Sequence, residues 1–128
     1  MAMAKILFIL AGGGIGSLLR YGLSGAFSKT SSNFPLGTLL VNLIGSFLIG
    51  LLWGISEKAA FHPNWRMFIF AGVLGGFTTF SAYGLESFNL LREGKPMLAL
   101  ANILLSNILG IALVILGFLV SRYFINMF

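Results

Sequence analysis

The third apolar segment of this chain contains the sequence Gly75-Gly76-Phe77-Thr78-Thr79-Phe80-Ser81-Ala82-Tyr83. Three aromatic rings, three hydroxyl-bearing residues and a glycine pair occur together where a helix that only filled lipid would use Leu and Val. The adjacent Gly and Thr pairs predict a helix that is broken at 75–79. Backbone N–H and C=O groups that lose their helical hydrogen bonds at membrane depth are tolerated only inside protein or beside a polar cavity. The stretch is therefore either a kinked helix packed on its neighbours or part of a polar pathway.

The composition places the chain among membrane proteins. Of its 128 residues, 58% are hydrophobic and 9% are charged, and the mean hydropathy is +0.99. The absence of cysteine excludes disulfides and thiolate metal sites, and the single His62 excludes a two-His metal site within one copy. The net charge of +5 comes from scattered residues, so we expect no nucleic-acid partner.

Four apolar stretches predict an all-α integral membrane protein, with one four-span domain over residues 1–128. Each stretch exceeds the roughly 20 helical residues that cross ~30 Å of hydrocarbon. The expected spans are about 4–26, 35–55, 66–91 and 97–123. The first carries Lys5 but no clear cleavage site, so we expect it to be retained rather than removed as a signal peptide. The spacing of Gly12 and Gly16 favours close packing of this span on another helix.

The second and fourth spans each carry a stripe of polar and small residues. On the second span, residues separated by three or four positions share one face, and these are Thr38, Asn42, Gly45 and Ser46. The corresponding stripe of the fourth span is Asn102, Ser106 and Gly110. An amide in lipid needs partners, so Asn42 either makes an interhelical hydrogen bond, worth roughly 0.6–2 kcal/mol, or lines an ion pathway to which it offers an N–H donor.

Glu86 lies three residues beyond Tyr83, on a similar face of the third span. An acidic group within a span is by default a functional candidate, although a position near the interface weakens that argument. Two interpretations remain open for Glu86, a residue of an aqueous vestibule and a solvated charge at the end of a helix.

The positive charges do not favour one orientation in the membrane. Four spans place both termini on one side, together with Lys5, Lys58, Arg66 and Arg122. The opposite side carries Arg20, Lys29, Arg92 and Lys95. Because orientation follows the side richer in Lys and Arg, this balance predicts insertion in both orientations, which would make an antiparallel pair available from one sequence. The alternative is a single orientation set by a preference that a count does not capture.

The side chains around the predicted break are suited to a small anion. Aromatic rings have positive edges, and the hydroxyl groups and the Asn42 amide can replace part of a hydration shell. No long apolar pocket for an organic substrate is evident. Backbone carbonyls released by a broken helix also coordinate hard cations in several membrane folds.

Three motifs resemble those of the Fluc (CrcB) fluoride channels. In the first span the motif is Gly13-Gly14-Ile15-Gly16 followed by Arg20-Tyr21. In the second it is Gly37-Thr38-Leu39, Val41-Asn42, Gly45-Ser46-Phe47 and Gly50. The third and most specific motif is Gly75-Gly76-Phe77-Thr78-Thr79-Phe80-Ser81. The resemblance covers all four spans in order and at the length of the family.

This resemblance implies an antiparallel, dual-topology homodimer with two pores in the cell membrane (inner or plasma membrane). It implies passive, selective export of fluoride from the cytoplasm and a structural Na⁺ at the dimer centre. The Na⁺ would be held by the backbone carbonyls of Gly75 and Thr78. The residues implied along the fluoride pathway are Asn42, Thr79, Phe80, Ser81, Tyr83, Glu86, Asn102 and Ser106.

The chain departs from the family pattern at three positions. The family usually continues Thr-Phe-Ser-Thr-Phe, whereas this chain has Ala82 and Tyr83 at the last two positions. Asn102 stands where many relatives have Tyr. Ala82 removes a hydroxyl, and Tyr83 keeps a ring while adding an O–H group.

Two other functions are weighed against a fluoride channel. A small multidrug-type proton-coupled exporter has a similar size and topology, but its family carries a membrane-embedded Glu in the first span, where this chain has no acidic residue. A non-transporting scaffold subunit would explain the glycines but not the Thr-Thr-Phe-Ser cluster with Asn42. We do not expect an enzyme, because no nucleophile–base pair or metal-ligand cluster is visible.

Overall fold

The computed structural model describes residues 2–28, 30 and 33–127, and all regular secondary structure within these residues is helical. The α-helices are α1 (Ala2–Ser28), α2 (Leu36–Lys58), α3 (Pro63–Arg66), α4 (Gly75–Phe77), α5 (Phe80–Arg92), α6 (Pro96–Leu104) and α7 (Gly110–Met127). Two π-helical stretches, Met67–Leu74 and Leu105–Leu109, connect α3 to α4 and α6 to α7.

These elements form four helical units that are long and apolar enough to cross a membrane, which confirms the predicted number of spans. The units are Ala2–Phe27, Leu36–Lys58, Pro63–Arg92 (the third span) and Pro96–Met127 (the fourth span). Most helix ends extend a few residues past the predicted spans, because the sequence argument counted only the apolar part of each helix.

The third span is interrupted at Thr78 and Thr79, the last two residues of the predicted interval. Thr78 has φ −80° and ψ 154°, and Thr79 has φ −148° and ψ 114°, so both are extended between α4 and α5. Gly75 and Gly76 remain helical. A Cβ atom on Gly76 would lie 2.6 Å from the carbonyl oxygen of Gly13, so Gly76 permits close packing on α1 while the Thr pair forms the break.

Glycines also set the spacing between α1 and the third span. A Cβ on Gly16 would overlap the carbonyl oxygen of Val73, and one on Gly72 would lie 2.9 Å from the Cα of Gly12. Gly12 and Gly16 are both buried. The predicted packing role of Gly12 and Gly16 is confirmed, and the partner of this glycine face is the helix that carries the break.

The second helix pair is α2 with α7, which again meet through glycines. A Cβ on Gly50 would overlap the carbonyl oxygen of Val114, and one on Gly117 would overlap that of Phe47. At the end of this pair Arg122 lies 3.6 Å from the Glu57 carboxylate. The turn between α5 and α6 depends on Gly94, whose φ of +73° would strain a residue with a side chain.

The outer surface of the molecule is strongly apolar. Large side chains on α1 and on the fourth span, among them Leu10, Leu18 and Ile111, are mostly exposed in the isolated chain. Exposed apolar area of this kind on membrane-length helices is suited to contact with lipid or with another helical chain.

Candidate functional site at the interrupted helix

The side chain of Asn42 on α2 is paired with the backbone of Thr79. Its Nδ2 donates to the carbonyl oxygen of Thr79 over 3.0 Å, and the N–H of Thr79 donates to its Oδ1 over 2.8 Å. The Asn42 Oδ1 thus takes the place of the Gly75 carbonyl, which would accept from the Thr79 N–H in a continuous helix. One proton of the Asn42 Nδ2 group remains outside this pair.

Two carbonyl groups lose their helical donors at the break. In an α-helix the Gly75 carbonyl would accept from the N–H of Thr79, and the Thr78 carbonyl would accept from the N–H of Ala82. Here the Thr79 N–H donates to Asn42, and the Ala82 N–H donates to the Thr79 hydroxyl over 3.3 Å. The two carbonyls singled out by the sequence resemblance are therefore deprived of their usual partners.

A cavity of about 370 Å³ opens beside the break, and we call it the break cavity. Its polar lining comes from three spans and comprises Asn42, Ser46, Thr78, Thr79, Ser106 and Asn107. Aromatic rings contributed to the same cavity are Phe70, Phe80 and Tyr83. The rings of Phe80 and Tyr83 lie 5.3 Å apart between centroids with an interplanar angle of 50°. Seven predicted site residues thus line one cavity, namely Asn42, Gly75, Thr78, Thr79, Phe80, Tyr83 and Ser106.

Ser106 contributes an unpaired hydroxyl to this cavity. Its Oγ is buried and has no hydrogen-bond partner among the described residues. A buried hydroxyl without a partner is unfavourable, so its position in a cavity indicates a place for a ligand, a water molecule or a second chain.

Two further cavities extend the polar surface from the break towards the ends of α1 and α5. The first, of about 410 Å³, contains Arg20, Ser17 and Ser24, and it shares Thr79 with the break cavity. We call it the arginine cavity. The second, of about 260 Å³, contains Glu86, and it shares Ser24 and Thr38 with the arginine cavity. Through these shared residues the three cavities form a nearly continuous polar track.

Glu86 is held by Thr38 near the end of this track. The Thr38 hydroxyl donates to Oε1 of Glu86 over 2.6 Å. The other carboxylate oxygen, Oε2, is buried and has no partner among the described residues. Glu86 is therefore a half-buried member of the track, which favours the vestibule interpretation over a freely solvated charge.

Two predicted pathway residues lie elsewhere. Asn102 is only 1% exposed, and its amide donates to the Ser87 hydroxyl over 3.0 Å. Ser87 in turn donates to the carbonyl of Tyr83 over 2.9 Å, so this network fastens α6 to α5. Ser81 is exposed, with its hydroxyl 3.2 Å from that of Thr79. Neither Asn102 nor Ser81 is among the residues that line these three cavities.

Two cavity residues were not selected from the sequence. Arg20 was counted as a flanking charge, although its separations from Ser17 and Ser24 place all three on one side of α1. Asn107 lies outside the polar stripe that was predicted for the fourth span. It lies within the π-helical stretch Leu105–Leu109, where the facing of side chains departs from a regular helical period.

A multi-pass helical membrane protein with an interrupted span and a polar cavity at the interruption is the class that this geometry defines. The chain belongs to the CrcB-like family, since residues 7–118 match the family profile described as "CrcB-like protein, Camphor Resistance (CrcB)". The family predicted from the motifs is therefore confirmed.

Curated relatives match over nearly the whole chain. The "Fluoride-specific ion channel FluC" of Parabacteroides distasonis is 46% identical over 126 residues, which cover 98% of each protein. That of Salinibacter ruber is 50% identical over 116 residues, or 90% of this chain and 87% of the relative. That of Pyrococcus horikoshii is 45% identical over 121 residues, or 93% of this chain and 98% of the relative.

Proposed function

We propose that this chain is a fluoride-selective channel that exports fluoride passively from the cytoplasm across the inner or plasma membrane and so relieves fluoride toxicity. The names of its full-length relatives support this proposal. The observation that carries it is the break cavity, where ring edges and hydroxyl groups meet at an interrupted span. The proposed protein is a channel and not an enzyme.

The side chains of the break cavity would replace the water lost by the anion. The edges of Phe80 and Tyr83 present positive partial charge, and the unpaired hydroxyl of Ser106 can donate a hydrogen bond. A compact ion accepts such donors without needing a large pocket. The guanidinium of Arg20 in the adjoining cavity would raise the local anion concentration.

We also propose that the working unit is an antiparallel homodimer of two oppositely inserted copies. Phe80 is 81% exposed in the protomer, and the break cavity opens on the protein surface. Polar backbone and hydroxyl groups would be unfavourable against lipid, and a second copy related by a two-fold axis would cover them. The balanced charges are consistent with this arrangement, although Lys29 lies outside the described residues.

The carbonyls of Gly75 and Thr78 are the groups proposed to hold a structural Na⁺ where the two copies meet. Their diverted helical donors leave carbonyl oxygen atoms, which are the ligands that hard cations prefer. When bound, the ion would supply a fixed positive charge near the anion. If the proposal holds, replacing Na⁺ with N-methylglucamine lowers the thermal unfolding temperature of the purified dimer, and an unchanged unfolding temperature would contradict it.

The function is tested with purified protein in liposomes and a fluoride electrode. Fluoride loaded inside should leave without a proton gradient once a potassium ionophore dissipates the membrane potential, and chloride should be retained. Proton-driven export of an organic cation without fluoride flux would instead identify an exporter. Intact protein without transport of either kind would favour the scaffold.

A further inference from the structure

Tyr83 and Asn107 form a hydrogen-bonded pair across the break cavity. Asn107 lies in the π-helical stretch of the fourth span, and Tyr83 lies in the first turns of α5. The Asn107 Nδ2 donates to the Tyr83 hydroxyl oxygen over 3.1 Å. Both side chains line the cavity that also contains Phe80 and Ser106.

The hydrogen bonds of Asn107 determine the direction of this contact. Its Nδ2 also donates to the carbonyl of Ile103 over 2.7 Å, so both amide protons are engaged. The Tyr83 oxygen acts as the acceptor, and its own proton has no acceptor in the described part of the protomer. The phenol ring is held by Asn107 at one end and by the ring of Phe80 at its side.

We propose that the Tyr83 hydroxyl donates a hydrogen bond to the transported anion, with Asn107 as the positioning residue that holds the phenol for this contact. The inference rests on the proposed fluoride channel and names a donor that determines its affinity for fluoride. A hydroxyl that accepts one hydrogen bond is polarised and becomes a better donor of another. An anion that loses water in a cavity is stabilised most by donors already in place.

The test compares Tyr83→Phe, Asn107→Leu and the double variant in liposomes, with efflux measured over a series of fluoride concentrations. Tyr83→Phe keeps the ring and its contact with Phe80 while removing only the hydroxyl. We expect the half-saturating fluoride concentration to rise about tenfold in each single variant, the scale of one hydrogen bond to an ionised group, with a smaller change in maximal flux. Tyr123→Phe, which removes an exposed hydroxyl far from the cavity, is the matched control.

The double variant distinguishes a coupled Tyr83–Asn107 pair from two side chains that act independently. If Asn107 acts through Tyr83, the double variant shows the same shift as either single variant, because the two changes remove one interaction. Fluoride should also protect the wild-type dimer from thermal unfolding more than it protects either variant. Fully additive shifts, or a shift in Tyr83→Phe without one in Asn107→Leu, would overturn the positioning role of Asn107.

Different experimental results would refute the inference and the proposed function. Absence of fluoride flux in the wild-type protein would refute the channel itself. Normal wild-type flux with an unchanged half-saturating concentration in Tyr83→Phe would leave the channel standing and refute the hydroxyl donor. A Tyr83→Phe protein that is no longer monodisperse would show that the hydroxyl is structural, which also overturns the inference.

Discussion

At the scale of single residues, Asn42 shows how one side chain stabilises a broken span. Its amide carries a carbonyl and an N–H group, the same pair of groups as the backbone, and it bonds to both the backbone N–H and the backbone carbonyl of Thr79. The sequence predicted that Asn42 needs partners in the membrane but left open whether these are protein or ion. The structure shows a protein partner, 37 residues away along the chain, and one amide proton remains for the cavity.

Replacing Asn42 with Leu should destabilise the folded protein. The variant leaves the Thr79 N–H and carbonyl without their partner, and a buried unpaired group costs about 1–3 kcal/mol. We expect a lower thermal unfolding temperature in detergent for Asn42→Leu. Ser46→Ala, one turn away on the same face of α2, is the control and should unfold close to the wild-type temperature. Equal unfolding temperatures for the two variants would argue against the role of Asn42 at the break.

Replacing Phe80 with Ile should reduce fluoride flux without unfolding the protein. Phe80 is 81% exposed in the protomer, so the substitution removes few packing contacts from the core of the protein. Ile keeps an apolar side chain but has no positive ring edge. We expect roughly tenfold less flux, because the loss of an aromatic contact of ~1.4 kcal/mol corresponds to that factor. The fluoride-electrode assay measures the effect. The control is Phe88→Ile, which changes another exposed ring on the same helix and should leave the flux unchanged. Unchanged flux in Phe80→Ile would show that Phe80 is not part of the fluoride pathway.

At the scale of elements, the glycine pair and the threonine pair of the third span have separate roles. Gly76 lies against Gly13 of α1 and stays helical, whereas Thr78 and Thr79 are extended. The sequence grouped all of these residues as one break. The Thr79 hydroxyl caps α5 by accepting from Ala82, so the second half of the span starts with its own cap.

Gly16→Ala and Gly14→Ala should have opposite effects on stability. A Cβ on Gly16 would overlap the Val73 carbonyl and would force α1 away from the third span, while a Cβ on Gly14 meets nothing within 4 Å. Overpacking typically costs about 1–3 kcal/mol, whereas Ala in an open helical position gains up to roughly 1 kcal/mol over Gly. Thermal unfolding of both variants in detergent measures the difference. A Gly16→Ala protein as stable as Gly14→Ala would contradict the close packing of α1.

At the scale of the whole molecule, the beginning of the first span and the end of the fourth lie on the same side of the protomer, as an even number of spans requires. The contact between Phe8 and Trp65, with ring centroids 5.5 Å apart, and the ion pair between Glu57 and Arg122 bring the first turns of α1 and the end of α7 to one side of the protein. Arg20 lines the arginine cavity together with Thr79. Without Arg20 the sequence gives four positive charges on one side against three on the other, and Lys29 lies outside the described residues.

Adding three Lys residues to the linker at 28–33 should reduce function by favouring one orientation. Under the proposed antiparallel dimer, a copy biased in this way lacks an oppositely inserted partner. Co-expression with a second copy that carries three added Lys residues at 59–62 should restore fluoride efflux, and each biased copy alone should show little. The assay is efflux from cells that express one copy or both. Full activity from one biased copy alone would contradict the antiparallel pair.

The sequence by itself determined the four apolar helices, the glycine face of α1, the polar stripe of α2 and the neighbourhood of the break. Hydrophobic length and helical spacing are local properties, and they specify which face of a helix is polar. Only the tertiary structure decided which neighbour each face meets. It assigned Asn42 to Thr79 and Asn102 to Ser87, and it placed Asn107, which lies in a π-helical stretch, at the break cavity. The physical reason is that the relative rotation of packed helices depends on close contacts between residues far apart in the chain, which the period of one helix does not contain.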